Sequence, residues 1–123
     1  LPELREILRS FAQDGEGEEM VRIEEEELVS RMTQGDLVVL DVRSEAEYQA
    51  GHLPSARSLP LVDLLRRIDE LPRDKELVAY CRGSFCIMAR EAVRILREQG
   101  FQARHLEEGV AEWRAGGHRI DRS

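Results

Sequence analysis

A chain of 123 residues, 41% of them hydrophobic, is long enough to bury one core and too short for two ordinary domains. Its formal charge of −7 argues against nucleic-acid binding through this chain, because such surfaces are rich in Lys and Arg. No apolar run approaches the roughly 20 residues that cross a bilayer, and no secretion signal is visible, so we expect a cytoplasmic protein without membrane contact.

The first 19 residues divide into an apolar helix and a linker. Residues 1–12 predict a helix whose apolar stripe consists of Leu1, Leu4, Leu8 and Phe11. Residues 13–19 are rich in Gly and acidic side chains, a composition that predicts a flexible acidic linker. Either the helix folds back on its own domain, or it is the end of a preceding domain or packs on a second subunit.

From residue 20 to residue 123, strand and helix patterns alternate, which is typical of a parallel sheet covered by helices. Strands are predicted at 20–23, 37–42, 57–59, 76–80 and 101–106. Helices are predicted at 24–33, 44–51, 61–71 and 87–98, with a last short helix around Val110 and Trp113. Ser44 and Glu47 have the spacing of a capping box, which marks where the second of these helices begins.

Cys81 directly follows the predicted strand at 76–80, and the loop CRGSFC joins that strand to the next helix. Open parallel sheets bind ligands at this edge, where backbone N–H groups and a helix terminus stabilise an anion. We therefore expect the pKa of the Cys81 thiol to fall. Residues 77–90 contain Arg82 and Arg90 and no acid, so we also expect a local field that attracts anions.

A thiolate at Cys81 can take the outer sulfur of an anionic donor as a persulfide and pass it to another nucleophile. This chemistry needs no metal or organic cofactor. A zinc site is not expected either, because His52, His105 and His118 are scattered and the two cysteines have no second pair. The alternative is that Cys81 is a small buried residue that ends a strand, and the residues alone leave both interpretations open.

Three ordered motifs resemble the rhodanese family. They are LDVRSEAEYQAGHLPSA at 40–56, the Cys81 loop, and HLEEGVAEWRAGG at 105–117. The resemblance covers about residues 20–120 and implies an α/β rhodanese-like fold around a five-stranded, mainly parallel sheet with helices on both faces. It implies that Cys81 is the catalytic residue that carries the persulfide. It also implies chiefly architectural roles for four residues, namely Asp41, Arg43, His52 and Trp113.

The loop departs from the family pattern. Many thiosulfate-using members have Gly and Arg at the fourth and sixth loop positions, where this chain has Ser84 and Cys86. Ile87 stands where related phosphatases and arsenate reductases have an Arg, which disfavours phosphate-ester chemistry. Phe85 either packs over the loop or forms an apolar wall for the donor. The residues predicted to bind the substrate are Arg82, Gly83, Ser84, Phe85 and Cys86.

Two interpretations of Cys86 remain. It resolves the Cys81 persulfide by forming a disulfide, or it fills the first turn of the helix, which is the interpretation we prefer from the sequence. The run at 80–117 also closely resembles rhodanese domains fused behind an ArsR-type winged-helix repressor domain, which implies an upstream DNA-binding domain. We therefore predict a sulfurtransferase that moves sulfane sulfur from a thiosulfate- or polysulfide-type anion to a thiol or cyanide. The alternative is a persulfide- or redox-sensing module of a transcriptional regulator.

Overall fold

The computed structural model describes residues 21–83 and 86–122. The predicted helix at 1–12 and linker at 13–19 lie outside the described residues. The strands are β1 (Leu37–Asp41), β2 (Arg57–Ser58), β3 (Glu76–Tyr80) and β4 (Ala103–His105). The helices are α1 (Glu25–Gln34), α2 (Glu45–Ala50), α3 (Met88–Glu98) and α4 (Val110–Ala115). None of the helices in this part of the chain is long and apolar enough to span a bilayer.

The four strands form one parallel sheet in the order β2-β1-β3-β4. The predicted α/β class is confirmed, but the prediction of five strands is wrong for the described residues. The segment predicted as a strand at 20–23 makes a single parallel bridge, between Arg22 and His105. Because α1 begins at Glu25, only a few extended residues are left to pair with β4. Met20 lies outside the described residues.

Both faces of the sheet are buried, which explains the unbroken apolar run of β1. One face packs on α3 and includes Leu40, Ala79 and Cys81, whereas the other packs on α1 and Trp113 and includes Val78. Because side chains alternate along a strand, the position of Cys81 two residues after Ala79 directs its sulfur toward α3. The alternation of side chains along β3 therefore places Cys81 on the side of the sheet that packs against α3.

The prediction of a helix at 61–71 is wrong. The segment contains two 3₁₀ turns, Leu61–Asp63 and Ile68–Glu70. Leu64 and Leu71 are buried, but Leu65 is 59% exposed. This buried stripe is too narrow to stabilise an α-helix, since helices in proteins are held mainly by the packing of a broad apolar face.

The other predicted helices are present with small shifts of their ends. Gly35 ends α1 in the left-handed region, with φ of 70°, a conformation that glycine adopts at little cost. The capping box at the start of α2 is complete. The Ser44 hydroxyl accepts from the Glu47 N–H at 3.2 Å, and the Glu47 carboxylate accepts from the Ser44 N–H. Local sequence signals were therefore sufficient to predict where α1 ends and where α2 begins.

Candidate active site

A buried polar network fixes the end of β3, directly before Cys81. Arg43 binds the Asp41 carboxylate through two nitrogens, with a shortest contact of 2.6 Å. The Tyr80 hydroxyl donates to the same carboxylate at 2.6 Å and accepts from the Leu53 N–H at 3.1 Å. These groups link the ends of β1 and β3 to the turn of the first motif. Asp41 and Arg43 thus make the contacts expected of architectural residues.

His52 and Trp113 also have structural contacts. The His52 ring stacks on Tyr48 with centroids 3.8 Å apart, and its Nδ1 lies 2.8 Å from the Tyr48 carbonyl oxygen. Trp113 is 2% exposed, and its indole N–H donates to the Arg119 carbonyl at 3.2 Å. These contacts agree with the architectural roles that the family resemblance implies for His52 and Trp113.

The two cysteines meet across the loop. Cys81 is 3% exposed and Cys86 is half-buried. The Cys81 thiol lies 3.5 Å from the Cys86 carbonyl oxygen, and the Cys86 N–H donates to the Gly83 carbonyl at 3.0 Å, which closes a tight turn. The backbones of Gly83 and Ala89 act in the direction of a lower pKa for Cys81, against the larger effect of burial. Ser84 and Phe85 lie outside the described residues, so the backbone cradle of residues 82–86 stays a prediction.

The acidity of the two thiols differs from the prediction. Burial raises the pKa of Cys81 to about 11, and a hydrogen bond to Cys86 adds to the rise. The pKa of Cys86 is lowered: burial opposes this, but the hydrogen bond from Cys81 and the backbone N–H groups of Arg82 and Met88 outweigh it. The expected fall in the pKa of Cys81 is therefore wrong for the resting thiol. Cys81 is the more buried of the two thiols, so the loss of solvation disfavours its anion more strongly.

Carboxylates from other segments surround the loop. The Arg82 guanidinium binds both oxygens of Glu47, at 2.7 and 2.8 Å, and this hydrogen bonding lowers the pKa of Glu47 to about 2. Arg90 lies 3.4 Å from a Glu107 oxygen. The expected anion-attracting field is thus offset, because folding pairs the loop cations with acids that are remote in sequence. Sequence reasoning assigned Glu47 to helix capping alone and missed this second role.

The third motif touches the loop through Gly109. A Cβ added there would lie 2.3 Å from the Arg82 carbonyl oxygen and 3.1 Å from the Cys81 carbonyl oxygen. The backbone of Gly109, with φ of −95° and ψ of −170°, is one that other residues adopt, so close approach is the reason for the glycine. Sequence reasoning missed Gly109. Its position just before a helix in a recognised motif was the available signal.

Within residues 21–83 and 86–122, no group of three His, Cys, Asp or Glu side chains is arranged to hold a metal. A cleft of about 580 Å³ beside α1 contains neither cysteine. Its lining consists of Glu24, Glu25, Glu26, Val29, Glu108 and His118.

Residues 24–116 match the sequence profile of the Rhodanese-like domain family. The chain belongs to the rhodanese family. This match confirms the resemblance seen in the three motifs. Because the chain belongs to this family, the Cys81 loop is the candidate active site.

Relatives of two kinds share this domain. The chain is 45% identical over 95 residues to the HTH-type transcriptional regulator Rv0324 of Mycobacterium tuberculosis, which covers 77% of this chain and 42% of the regulator. It is 31% identical over 93 residues to a sulfurtransferase of Allochromatium vinosum, which covers 74% of this chain and 85% of that protein. The chain therefore spans less than half of the regulator and most of the sulfurtransferase.

The solution structure of the rhodanese-like domain of the Alr3790 protein from Anabaena has a similar fold. The TM-score is 0.69 at 29% identity, and the match covers 84% of this chain and 80% of that domain.

Proposed function

We propose that this domain is a sulfurtransferase that carries sulfane sulfur as a persulfide on Cys81. The observation that supports this most directly is the position of Cys81 at the end of β3, where the backbones of Gly83 and Ala89 act in the direction of a lower pKa for its thiol. Backbone groups that favour a thiolate stabilise an anionic persulfide as well. A relative of nearly the same length bears the name sulfurtransferase, which supports the same assignment.

In the loading step, the Cys81 thiolate attacks the outer sulfur of a thiosulfate- or polysulfide-type donor. A new S–S bond forms to Cys81 and the S–S bond of the donor breaks, so the rest of the donor leaves with the electron pair as sulfite or a shorter thiolate. A thiol or cyanide then takes the outer sulfur and returns the Cys81 thiolate. The proposed substrate-binding residues remain Arg82, Gly83, Ser84, Phe85 and Cys86, with no metal or organic cofactor.

The resting pKa of Cys81 has a consequence for this reaction. Because the pKa of the resting Cys81 thiol is raised, mainly by burial, only a small fraction is thiolate near neutral pH, and loading requires that Cys81 loses its proton before or during attack. Cys86→Ala removes the hydrogen bond that adds to the rise in the pKa of Cys81 caused by burial. We therefore expect iodoacetamide to modify Cys86 before Cys81 in the parent, and to modify Cys81 faster in Cys86→Ala than in the parent.

The direct test is thiocyanate formation from thiosulfate or a polysulfide with cyanide, together with intact mass. The parent should gain sulfur and form thiocyanate, Cys81→Ser should do neither, and Cys86→Ala should retain both. A parent that gains no sulfur from either donor, or a Cys81→Ser variant that still turns over, would overturn the proposed function.

A second candidate is a sulfur-sensing module, and the contact between Cys81 and Cys86 favours it. In this version the Cys86 thiolate attacks the inner sulfur of the Cys81 persulfide. A Cys81–Cys86 disulfide forms and HS⁻ leaves, so the donor sulfur supplies the oxidising equivalents. The similarity to a transcriptional regulator supports such a role within a longer protein that has an upstream DNA-binding domain.

Peptide mapping without reductant separates the two candidates. After polysulfide treatment, the sensor predicts a Cys81–Cys86 linked peptide and release of sulfide, both of which are lost in Cys86→Ala. If Cys86 stays alkylatable while Cys81 carries the extra sulfur, the disulfide mechanism is refuted and the enzyme hypothesis is retained.

A further inference from the structure

The cations beside the catalytic loop are engaged by carboxylates. Arg82 makes a two-point ion pair with Glu47, at 2.7 and 2.8 Å, so its charge is largely neutralised at the loop. Arg90 is paired with Glu107. Cys86 supplies no positive charge at the loop position where many thiosulfate-using members have an Arg.

A further carboxylate lies against the turn of the loop. The Glu112 side chain projects from α4 toward Gly83, and an ideal Cβ on Gly83 would be 2.8 Å from its Oε1. Among the described residues, no ion pair is formed by Glu112. The charge that an incoming donor meets at Gly83 is therefore negative, in a chain whose net charge is −7.

We propose that Glu47 and Glu112 are specificity-determining residues that select against dianionic sulfur donors. Neutral or singly charged sulfane donors, such as zwitterionic thiosulfonates or polysulfide ends, are the preferred class, and thiosulfate is disfavoured. This inference rests on the proposed persulfide chemistry of Cys81. Glu47 acts by neutralising Arg82, and Glu112 acts by direct repulsion of the donor.

The size of the effect follows from Coulomb interactions near a protein surface. For an assumed separation of about 7 Å, one carboxylate that is partly screened by water and salt changes the local concentration of a donor by roughly two- to threefold per donor charge. A dianion therefore experiences roughly a three- to tenfold change, and a zwitterion almost none. This graded response distinguishes charge selection from a general change in loop reactivity.

The experiment compares three donors that share one reaction type: 2-aminoethanethiosulfonate (net charge zero), methanethiosulfonate (−1) and thiosulfate (−2). Each gives its outer sulfur to Cys81 and leaves as a sulfinate or sulfite. The readout is kcat/KM for thiocyanate formation with cyanide, together with the mass gain of Cys81. The ratio of variant to parent for each donor cancels the intrinsic reactivity of that donor.

The variants are Glu112→Gln and Glu47→Gln, with Glu98→Gln as the matched control. Gln can take the place of Glu in a capping box, so the start of α2 is retained when Glu47 is replaced. Glu98 ends α3 and is paired with Arg94, about 15 Å along the helix from the loop, beyond the Debye length at physiological salt. Melting temperatures are measured for each variant to confirm that all of them fold.

Glu112→Gln and Glu47→Gln should raise kcat/KM roughly three- to tenfold for thiosulfate and two- to threefold for methanethiosulfonate, with no change for the zwitterion. Glu98→Gln should change none of them. Equal changes in kcat/KM for all three donors would overturn the charge selection and leave the proposed function standing. The same holds if kcat/KM for thiosulfate does not change while Cys81 still gains sulfur. Failure of Cys81 to gain sulfur from any of the donors would overturn the proposed function, and the inference with it.

Discussion

Replacing Gly109 with alanine tests whether the third motif holds the Cys81 loop in place. The added methyl carbon would lie 2.3 Å from the Arg82 carbonyl oxygen and 2.6 Å from the Arg82 carbonyl carbon. Even to reach 3.0 Å, which real Cβ atoms rarely undercut, the two backbones must separate by about 0.7 Å. Because both contacts are backbone atoms, no side-chain rotation relieves the clash, and strain of this kind costs about 1–3 kcal/mol.

For a domain of about 100 residues, each kcal/mol lowers the melting temperature by roughly 4–8 °C. We therefore expect Gly109→Ala to melt about 5–20 °C below the parent. Displacement of the Cys81 and Arg82 carbonyls should also lower the rate of sulfur loading at temperatures where the variant is fully folded. Circular dichroism melting and thiocyanate formation measure the two effects.

The matched control is Gly35→Ala, at the end of α1. A Cβ at Gly35 meets nothing within 4 Å, and its φ of 70° makes alanine cost about 1–2 kcal/mol through backbone strain. Gly35→Ala should therefore lose stability and keep its loading rate. A Gly109→Ala domain that melts within 2 °C of the parent and loads sulfur normally would refute the close approach. A Gly35→Ala domain that loses as much loading activity as Gly109→Ala would also refute it.

Two further predictions concern the scaffold around the site. Tyr80→Phe leaves the Leu53 N–H without its acceptor and removes a donor from the Asp41 carboxylate. The free energy of unfolding measured in urea should therefore fall by about 1–3 kcal/mol. An unchanged urea midpoint would contradict a stabilising role of this network. The pKa of Glu47 is about 2 in the folded domain and near 4.5 when unfolded, so its contribution is present above pH 4.5 and is lost as the pH falls toward 2. The melting temperature of Glu47→Gln should therefore fall less than that of the parent between pH 5 and pH 2.5. Parallel curves of melting temperature against pH for the two proteins would argue against the Arg82 pair.

Local patterns in the sequence were sufficient for much of this domain. The apolar run of β1 predicted a strand covered on both faces, and the spacing of Ser44 and Glu47 predicted the capped start of α2. The position of Cys81 after a strand and before a helix predicted a nucleophile at the carboxyl edge of a parallel sheet. These signals depend on neighbours within a few residues, and together with the motifs they specified the family.

The errors arose where distant segments decide the outcome. The segment at 61–71 has a helical stripe, but the sheet and α3 bury only Leu64 and Leu71, so two 3₁₀ turns form instead of a helix. The segment at 20–23 was predicted as a strand but makes a single bridge to β4, because α1 begins at Glu25 and leaves few extended residues to pair.

The sequence by itself determined the family, the parallel α/β architecture and the identity of Cys81 as the candidate nucleophile, because local periodicity and short motifs encode these features. Only the tertiary structure decided the electrostatics of the site. Glu47 is 35 residues from Arg82 in the chain, yet it forms the ion pair that neutralises the loop cation. Burial and the contact with Cys86 likewise raise the pKa of Cys81, because both depend on which atoms the completed fold places around the sulfur.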